Sequence, residues 1–261
     1  MWGLLATARG VRRDWFSRQR SPWWIELAAI SWLYLIYDRI SDLAPLRQQE
    51  ALAHGRGILH LERIVHLAPE LSLNHWLLPH HLLAEILANY YDIAHFVVTI
   101  GLLMWLWWRR PDLHRPLRNT LMFTNVIGLV VFWAYPLAPP RLLAGSGFTD
   151  VVASTHAFAS WHVGVLASQA NQLAAMPSLH VAWSAWCAIV LWRVSRRALV
   201  RGLALAYPLM TSFAVVATGN HFVADVLAGV LTTAMATGLA AAFGALIALR
   251  RQQMAAAPSP A

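Results

Sequence analysis

The stretch MPSLHVAWSAWCAIVLWRVS, residues 176–195, places polar side chains at the entrance of a long apolar run. Ser178 and His180 follow Pro177, and the residues after them are mostly apolar as far as Arg193. Because about 20 apolar residues cross a bilayer as a helix, we predict a membrane span over about 178–195. Serine is a preferred first residue of a helix, whereas a histidine at the mouth of a span needs a chemical reason.

The composition of the whole chain predicts an all-α integral membrane protein. Of 261 residues, 58% are hydrophobic and 12% are charged, about half the charged share of soluble domains. Six candidate transmembrane helices form a membrane domain over 22–250, with spans at about 22–40, 83–108, 118–137, 178–195, 199–219 and 221–249. A basic cytoplasmic segment (1–21) precedes this domain, and a disordered tail (251–261) is expected after it.

The distribution of charge predicts the orientation. All 20 basic residues are arginines, and the net charge is +8. Most of them lie in the N-terminal segment, in the connections after the second and fourth spans, and near the C-terminus. The positive-inside rule then places both termini in the cytoplasm of a cell-membrane protein. Anionic lipid and topology account for the positive charge, so we do not expect nucleic-acid binding.

Two segments on the predicted outer face are not spans. Residues 44–81 mix apolar and charged residues at helical spacing, which predicts an interfacial amphipathic helix. Three of its histidines, His54, His60 and His66, follow one another at six-residue steps that do not share a helix face, so we expect no metal site there. Residues 138–177 form a long outer loop punctuated by Pro and Gly. Loops of this length commonly bind a ligand or are disordered.

Polar residues from three predicted spans converge on this outer face, and ionisable groups at membrane depth indicate a functional site. The converging residues are Arg141, Ser178, His180, Asn220, His221 and Asp225. His221 and Asp225 are four residues apart, so they share a helix face, and the carboxylate can fix the tautomer of the imidazole. The alternative is a helix cap with a buried ion pair.

The remaining residues of this group suit a phosphate. The helix start at Ser178 offers backbone N–H groups that bind anions, although a capped helix with an incidental histidine has the same sequence. Arg141 follows two prolines and has the planar donor geometry that matches phosphate; the alternative is an interfacial arginine. Together these groups supply what phosphoryl transfer through a histidine nucleophile needs.

Further polar residues lie inside the second span. Asn89, Tyr90 and His95 line the pocket in one interpretation. In the other, they form hydrogen bonds between helices. His156 and His162 of the outer loop are expected to be solvated.

The motifs resemble those of the type-2 phosphatidic acid phosphatase superfamily. PSLH (177–180) is similar to its P-S-G-H motif, NHFVAD (220–225) to the end of its third motif, and YPLAPPRLL (135–143) stands where its first motif ends in arginine. APPRL, AMPSLHV and NYYDIAH (89–95) resemble the inositol phosphorylceramide synthase-type branch. The resemblance covers about 45–250.

This resemblance implies a haloperoxidase-like helical core and a mechanism without metal or other cofactor. Carried over, His221 is the nucleophile, Asp225 orients it and His180 is the general acid, while Ser178 and Arg141 bind phosphate beside Asn220. Two positions depart from the family: Ala134 replaces the lysine of the first motif, and Val215 replaces the arginine of the third. A single cationic ligand fits a phosphodiester better than a doubly charged monoester.

These observations predict a membrane-embedded lipid phosphatase or phosphotransferase with an extracytoplasmic active site. Water as acceptor makes the enzyme a phosphatase, whereas an alcohol such as ceramide, diacylglycerol or inositol makes it a transferase that moves a phosphoinositol-type headgroup. The alternative is a non-catalytic phospholipid or prenyl-phosphate carrier or flippase that uses the same basic pocket.

Overall fold

The computed structural model describes residues 22–155 and 172–256, and these residues are helical with no strand longer than an isolated bridge. The predicted basic segment 1–21, His156, His162 and the end of the predicted tail (257–261) lie outside them. The α-helices are α1 (Trp23–Leu43), α2 (Gln48–Ile64), α3 (Glu70–Leu77), α4 (His81–Arg109), α5 (Pro111–Ala134), α6 (Val151–Ser154), α7 (Leu179–Val194), α8 (Ala198–Ala217) and α9 (Val223–Ala256).

Four of these helices are long and apolar enough to cross a membrane: α4, α5, α8 and α9. The predicted span at 178–195 forms α7, which has 16 residues and is apolar but shorter. The predicted span at 22–40 forms α1, which is 21 residues long but carries Glu26, Asp38 and Arg39. The all-helical membrane fold is therefore confirmed with four candidate spans, and six spans stay a prediction.

The helix ends differ from the predicted boundaries where local sequence governs them. α5 begins at Pro111, earlier than the predicted residue 118, because proline is well suited to the first position of a helix. α9 continues to Ala256, into the segment for which the sequence predicts a disordered tail.

α7 is the central helix of the bundle and packs against α4, α5, α8 and α9. It is apolar around its whole circumference, as expected of a helix that is surrounded by others. Trp186 is fully buried on it, and its indole N–H donates to the Leu117 carbonyl at 2.8 Å. The start of α7, the start of α9 and the ends of α5 and α8 consequently lie at the same end of the bundle.

The prediction of one interfacial helix over 44–81 needs correction. A 3-10 turn (Ala44–Arg47) leads into α2. The helical conformation then ends at Ile64, and His66, between α2 and α3, adopts a φ of 55°. α2 is not confined to the surface, since it buries Ala51 and Gly55 against the segment after α5. The N–H of Ala138 donates to the Ala51 carbonyl at 3.0 Å, and a Cβ added to Gly55 would lie 2.7 Å from the Ala138 carbonyl oxygen.

Within the predicted outer loop 138–177, the structure describes residues 138–155 and 172–177. The loop contains a 3-10 turn (Pro140–Leu142) and the short helix α6. Its two ends run side by side, because the Leu137 N–H donates to the Leu173 carbonyl at 2.8 Å and the Leu137 carbonyl accepts from the Ala175 N–H at 3.1 Å. This pairing brings the segment of Arg141 next to the segment that leads into Ser178.

Candidate active site

His221 and Asp225 form the core of the site, at the start of α9. Nδ1 of His221 lies 3.3 Å from Oδ2 of Asp225. The carboxylate is fully buried, and the same oxygen accepts the Phe222 N–H at 2.9 Å. Because the carboxylate is held by the backbone, it can fix the imidazole with its proton on Nδ1, which leaves Nε2 with the lone pair.

His180 faces His221 across the junction between α7 and α9. The two ring centres are 5.7 Å apart, with the ring planes inclined at 61°. Tyr91 of α4 stacks on the His180 ring at 4.2 Å, and His95 meets it edge-on at 4.1 Å. The orientation of His180 is therefore set by aromatic packing rather than by a carboxylate on its own helix.

Ser178 lies at the start of α7 and contacts the first turn of α9. Its side-chain oxygen caps α7 by accepting the Val181 N–H at 3.5 Å, and its own N–H donates to the Asp225 carbonyl at 3.1 Å. Gly229 allows this close approach, since a Cβ there would lie 2.5 Å from the Ser178 carbonyl oxygen. Ser178 is fully buried and does not line the cavity described below.

Arg141 is held from two sides. Its backbone N–H donates to the Gly219 carbonyl at 3.0 Å, and its side-chain Nε lies 3.1 Å from Oδ2 of Asp150. Asp150 also caps α6 by accepting the Ala153 N–H. The ion pair is largely buried on the arginine side, so the guanidinium keeps a fixed position at the entrance to α9.

Asn220 lies beside His221 and is buried. Its side-chain amide donates to Thr218 Oγ1 at 2.9 Å, while its Oδ1 has no hydrogen-bond partner among the described residues. The sequence groups Asn220 with the phosphate ligands, and the structure places it in the wall of the same cavity as Arg141.

The segment between α1 and α4 supports the site through three buried polar side chains that the sequence analysis did not single out. Glu62 Oε1 accepts the Ala224 N–H at 2.7 Å, and Glu70 Oε1 accepts the Val223 N–H at 3.0 Å. Both carboxylates therefore cap the first turn of α9, directly after His221. Asn74 bridges the Thr149 backbone and the Ala217 carbonyl.

Glu62 and Glu70 are also close to each other. Burial raises the pKa of Glu62 to about 8, and its interaction with Glu70 adds to this shift, whereas the hydrogen bond from Ala224 opposes it. The Oε2 atoms of both side chains are buried without a hydrogen-bond donor from the described residues. Burial and the neighbouring Glu70 both favour the protonated form of Glu62.

A cavity of about 710 Å³ opens beside the histidines. Its wall at this end includes His180, His221, Arg141, Asn220 and Tyr91. A nucleophile, a second titratable imidazole and a cation thus share one space, which is the arrangement that phosphoryl transfer requires. Within the described ranges, no group of three or more His, Cys, Asp or Glu side chains is placed to hold a metal ion.

The sequence profile of the PAP2 superfamily matches residues 56–239, which include all the site residues above. The chain belongs to the PAP2 superfamily. Members of the PAP2 superfamily are generally phosphatases that act on lipid phosphates in membranes. Neither the curated proteins nor the solved structures contain a match to the chain.

Two positions where PAP2 motifs carry cations are apolar in this chain, and the structure accommodates both. Ala134 ends α5 and is exposed. Val215 is buried in an apolar cluster with Val181 and Val216. At this end of the cavity, Arg141 is therefore the only arginine among the described lining residues.

The second-span residues of this PAP2 protein divide between two roles. His95 lines the cavity, as predicted in one interpretation. Tyr90 and Asn89 do not line it: the Tyr90 hydroxyl lies 2.7 Å from Thr211 Oγ1 of α8, and the Asn89 amide donates to the Glu85 carbonyl at 2.8 Å. The tyrosine in the pocket is instead Tyr91, because residues four apart share a helix face and Tyr91 is four residues before His95.

Other supporting residues had a weaker signal in the sequence. Glu62 follows Ala51, Gly55 and Leu59 at steps of three and four, so its place on the buried face of α2 is readable from the helical period. Asp150 had no comparable signal, since it lies at the end of an irregular segment that follows Pro- and Gly-rich turns.

Proposed function

We propose that this PAP2 protein is a membrane-embedded lipid phosphatase or phosphotransferase that acts through a phosphohistidine at His221. The observation that carries the proposal is the contact between His221 Nδ1 and Asp225 at 3.3 Å, with His180 on the other side of the same cavity. A carrier has no need of a carboxylate-oriented imidazole that faces a second imidazole.

In the first step, Nε2 of His221 attacks phosphorus, and the bond from phosphorus to the ester oxygen breaks. His180 donates a proton to the departing oxygen, so the lipid alcohol leaves neutral. The Arg141 guanidinium, oriented by Asp150, stabilises the negative charge on the phosphoryl oxygens, and Asn220 adds an amide to the same wall.

In the second step, an acceptor oxygen attacks phosphorus of the phosphohistidine and releases Nε2 of His221. His180 takes the proton of the acceptor, which restores both imidazoles. From a phosphate monoester, water gives inorganic phosphate and an alcohol gives a new monoester. From a phosphodiester, water gives a phosphate monoester and an alcohol gives a new phosphodiester. Because one arginine faces this end of the cavity, a singly charged phosphodiester is the better match, which supports headgroup transfer of the inositol phosphorylceramide synthase type.

The roles of the two histidines are separable by experiment. General acid catalysis contributes about 10²–10⁴-fold and matters less as the leaving group becomes more acidic. His180→Ala is therefore expected to retain measurable activity on an activated aryl phosphate ester and to lose activity on an alkyl ester, whereas His221→Ala loses both. Trapping with labelled substrate is expected to label His221 in the wild type.

The reverse pattern of activities would exchange the two roles. Equal residual activity in both variants would favour the carrier alternative instead.

We also propose that the site opens on the extracytoplasmic face and that both termini are cytoplasmic. The support is the arginine distribution, since the connections between α4 and α5 and between α7 and α8 are arginine-rich and lie at the end of the bundle away from His221. A reporter fused after Ala261 should be active in the cytoplasm. Activity of the fusion only outside would contradict this orientation.

A further inference from the structure

The cavity at the histidines extends far beyond the space that a phosphate needs. Along α4 its wall runs from Tyr91 to Leu103, and along α1 from Asp38 to Glu26. At 1.5 Å per residue, each of these stretches is about 18 Å long, more than half of the roughly 30 Å hydrocarbon core of a bilayer. The volume of about 710 Å³ is that of a pocket for one ligand.

The middle of this cavity is apolar. α1 contributes Ile30 and Leu33, α4 contributes Ile100 and Leu103, and α5 contributes Leu121 and Met122. Two polar groups at this level have partners in the protein: the Trp183 indole donates to Asn125 at 3.3 Å, and Thr99 Oγ1 lies 3.5 Å from the Cys187 sulfur. The wall therefore suits an aliphatic chain rather than a second polar group.

An ion pair forms the end of the cavity away from the histidines. Arg118 Nη1 lies 2.8 Å from Glu26 Oε1, and both side chains are mostly buried. His114 Nε2 is 4.0 Å from the other oxygen of Glu26. An aliphatic chain that reached this ion pair would remove water from charged groups without replacing it, which is unfavourable.

α1 forms the wall that the superfamily match does not include. The match begins at residue 56, whereas α1 ends at Leu43. α1 packs on α5, and Glu26 of α1 pairs with Arg118 of α5 at the closed end. The depth of the cavity is thus fixed by a contact between α1 and the PAP2 core.

We infer that this cavity binds the aliphatic chain of the lipid substrate, with the Glu26–Arg118 ion pair as the stop that limits chain length. The phosphate end of this placement rests on the proposed function of His221 and Arg141. The chain itself lies between α1, α4 and α5, inside the protein rather than in the surrounding lipid.

A chain-length series tests the limit. Purified protein is assayed with n-alkyl methyl phosphates, singly charged phosphodiesters with alkyl chains of increasing length, each below the concentration at which it forms micelles. We expect kcat/KM to rise by up to about fourfold for each added methylene and to stop rising at the length that reaches Arg118. Leu103→Trp fills the deep end and should move this break to shorter chains.

Met104→Trp is the matched control, because Met104 adjoins Leu103 on α4 but is 64% exposed on the outside of the bundle. It should leave the break where it is in the wild type. A break that stays in place in Leu103→Trp, or that moves equally in both variants, would overturn the inference.

A binding measurement on the wild type does not depend on turnover or on the folding of a variant. A long-chain alkyl phosphonate, whose C–P bond resists hydrolysis, carries a photoreactive diazirine at the chain end. We expect labelling of Leu103, Leu121 or Met122. Labelling confined to outward residues such as Met104 would overturn the inference. Internal labelling without hydrolysis of any alkyl or aryl ester, and without transfer to any alcohol, would instead refute the proposed function and leave the chain site standing.

Discussion

The carboxylate of Glu62 accepts a hydrogen bond from the backbone N–H of Ala224 at 2.7 Å, across 162 residues of sequence. Glu70 accepts the neighbouring Val223 N–H, and the two carboxylates together cap the helix that carries Asp225. The position of the catalytic carboxylate proposed here therefore depends on a segment far from the superfamily motifs.

Stability should depend on pH through Glu62. Its pKa is raised in the folded protein from the ordinary 4.5 to about 8, chiefly by burial. A raised pKa means that the folded state holds the proton more tightly, so stability is full below pH 4.5 and falls as the pH rises through 8, by at most about 1.4 kcal/mol per pH unit for one proton. Thermal unfolding in detergent across this range measures the slope.

Glu62→Gln should flatten that slope, because the amide keeps an oxygen for the Ala224 N–H and donates to Glu70 without titrating. Glu50→Gln is the control, since Glu50 is on the same helix in an exposed pair with Arg47. An unchanged slope in Glu62→Gln would assign the pH dependence to other groups.

The contact between Gly229 and Ser178 should be sensitive to a single methyl group. A Cβ at Gly229 would lie 2.5 Å from the Ser178 carbonyl oxygen, so Gly229→Ala should push α9 from α7 and cost about 1–3 kcal/mol. Since His180 and His221 lie on opposite sides of this junction, kcat should fall by up to about a hundredfold. Gly238→Ala on the same helix meets nothing within 4 Å and should gain about 0.5–1 kcal/mol at unchanged kcat. Similar effects of both variants would refute this account.

Asp150→Asn should weaken the interaction of Arg141 with the substrate phosphate. The neutral amide loses the charge that holds Nε at 3.1 Å, and we expect kcat/KM to fall about tenfold, corresponding to about 1.4 kcal/mol. Asp112→Asn removes a comparable Arg–Asp pair, Arg110–Asp112, that lies outside the cavity and is half-exposed. Steady-state kinetics should show wild-type values for this control; equal losses would mean that Asp150 acts only on stability.

Removal of metal ions should leave the activity intact. The proposed reaction takes its nucleophile from His221 and its positive charge from Arg141, so dialysis against EDTA should not lower kcat, and vanadate, which mimics five-coordinate phosphorus, should inhibit. Loss of activity in EDTA that zinc or magnesium restores would show that the reaction uses a metal.

The sequence could predict features that depend on residues close to one another along the chain. Helices at every predicted span follow from runs of apolar residues. The spacing of four predicted the contact of His221 with Asp225, although His221 lies two residues before the first residue of α9 and not on the helix itself. Of the two interpretations of Tyr90, the structure favours the hydrogen bond between helices, to Thr211. A step of one residue turns a helix by about 100°, so the neighbouring Tyr91 has the position that faces His180.

Long-range contacts were beyond the reach of a single sequence. Residues 44–81 have an amphipathic pattern that an interfacial helix and a buried support share. Only the tertiary packing, such as Gly55 against Ala138 and Glu70 on Val223, distinguishes the two. The ion pair of Arg141 with Asp150 likewise depends on how an irregular segment turns back on itself.

The caps on α9 also impose an order on biosynthesis. Glu62 is translated 162 residues before its partner Ala224, so at 5–20 residues per second about 8–30 seconds separate the two. Throughout that interval Glu62 and Glu70 lack the helix that they cap in the folded protein. The proposed catalytic centre is therefore completed only after α9, the last helix among the described residues, has been translated. A ribosome stalled before residue 223 holds a chain that contains His180 but not the helix that carries Asp225.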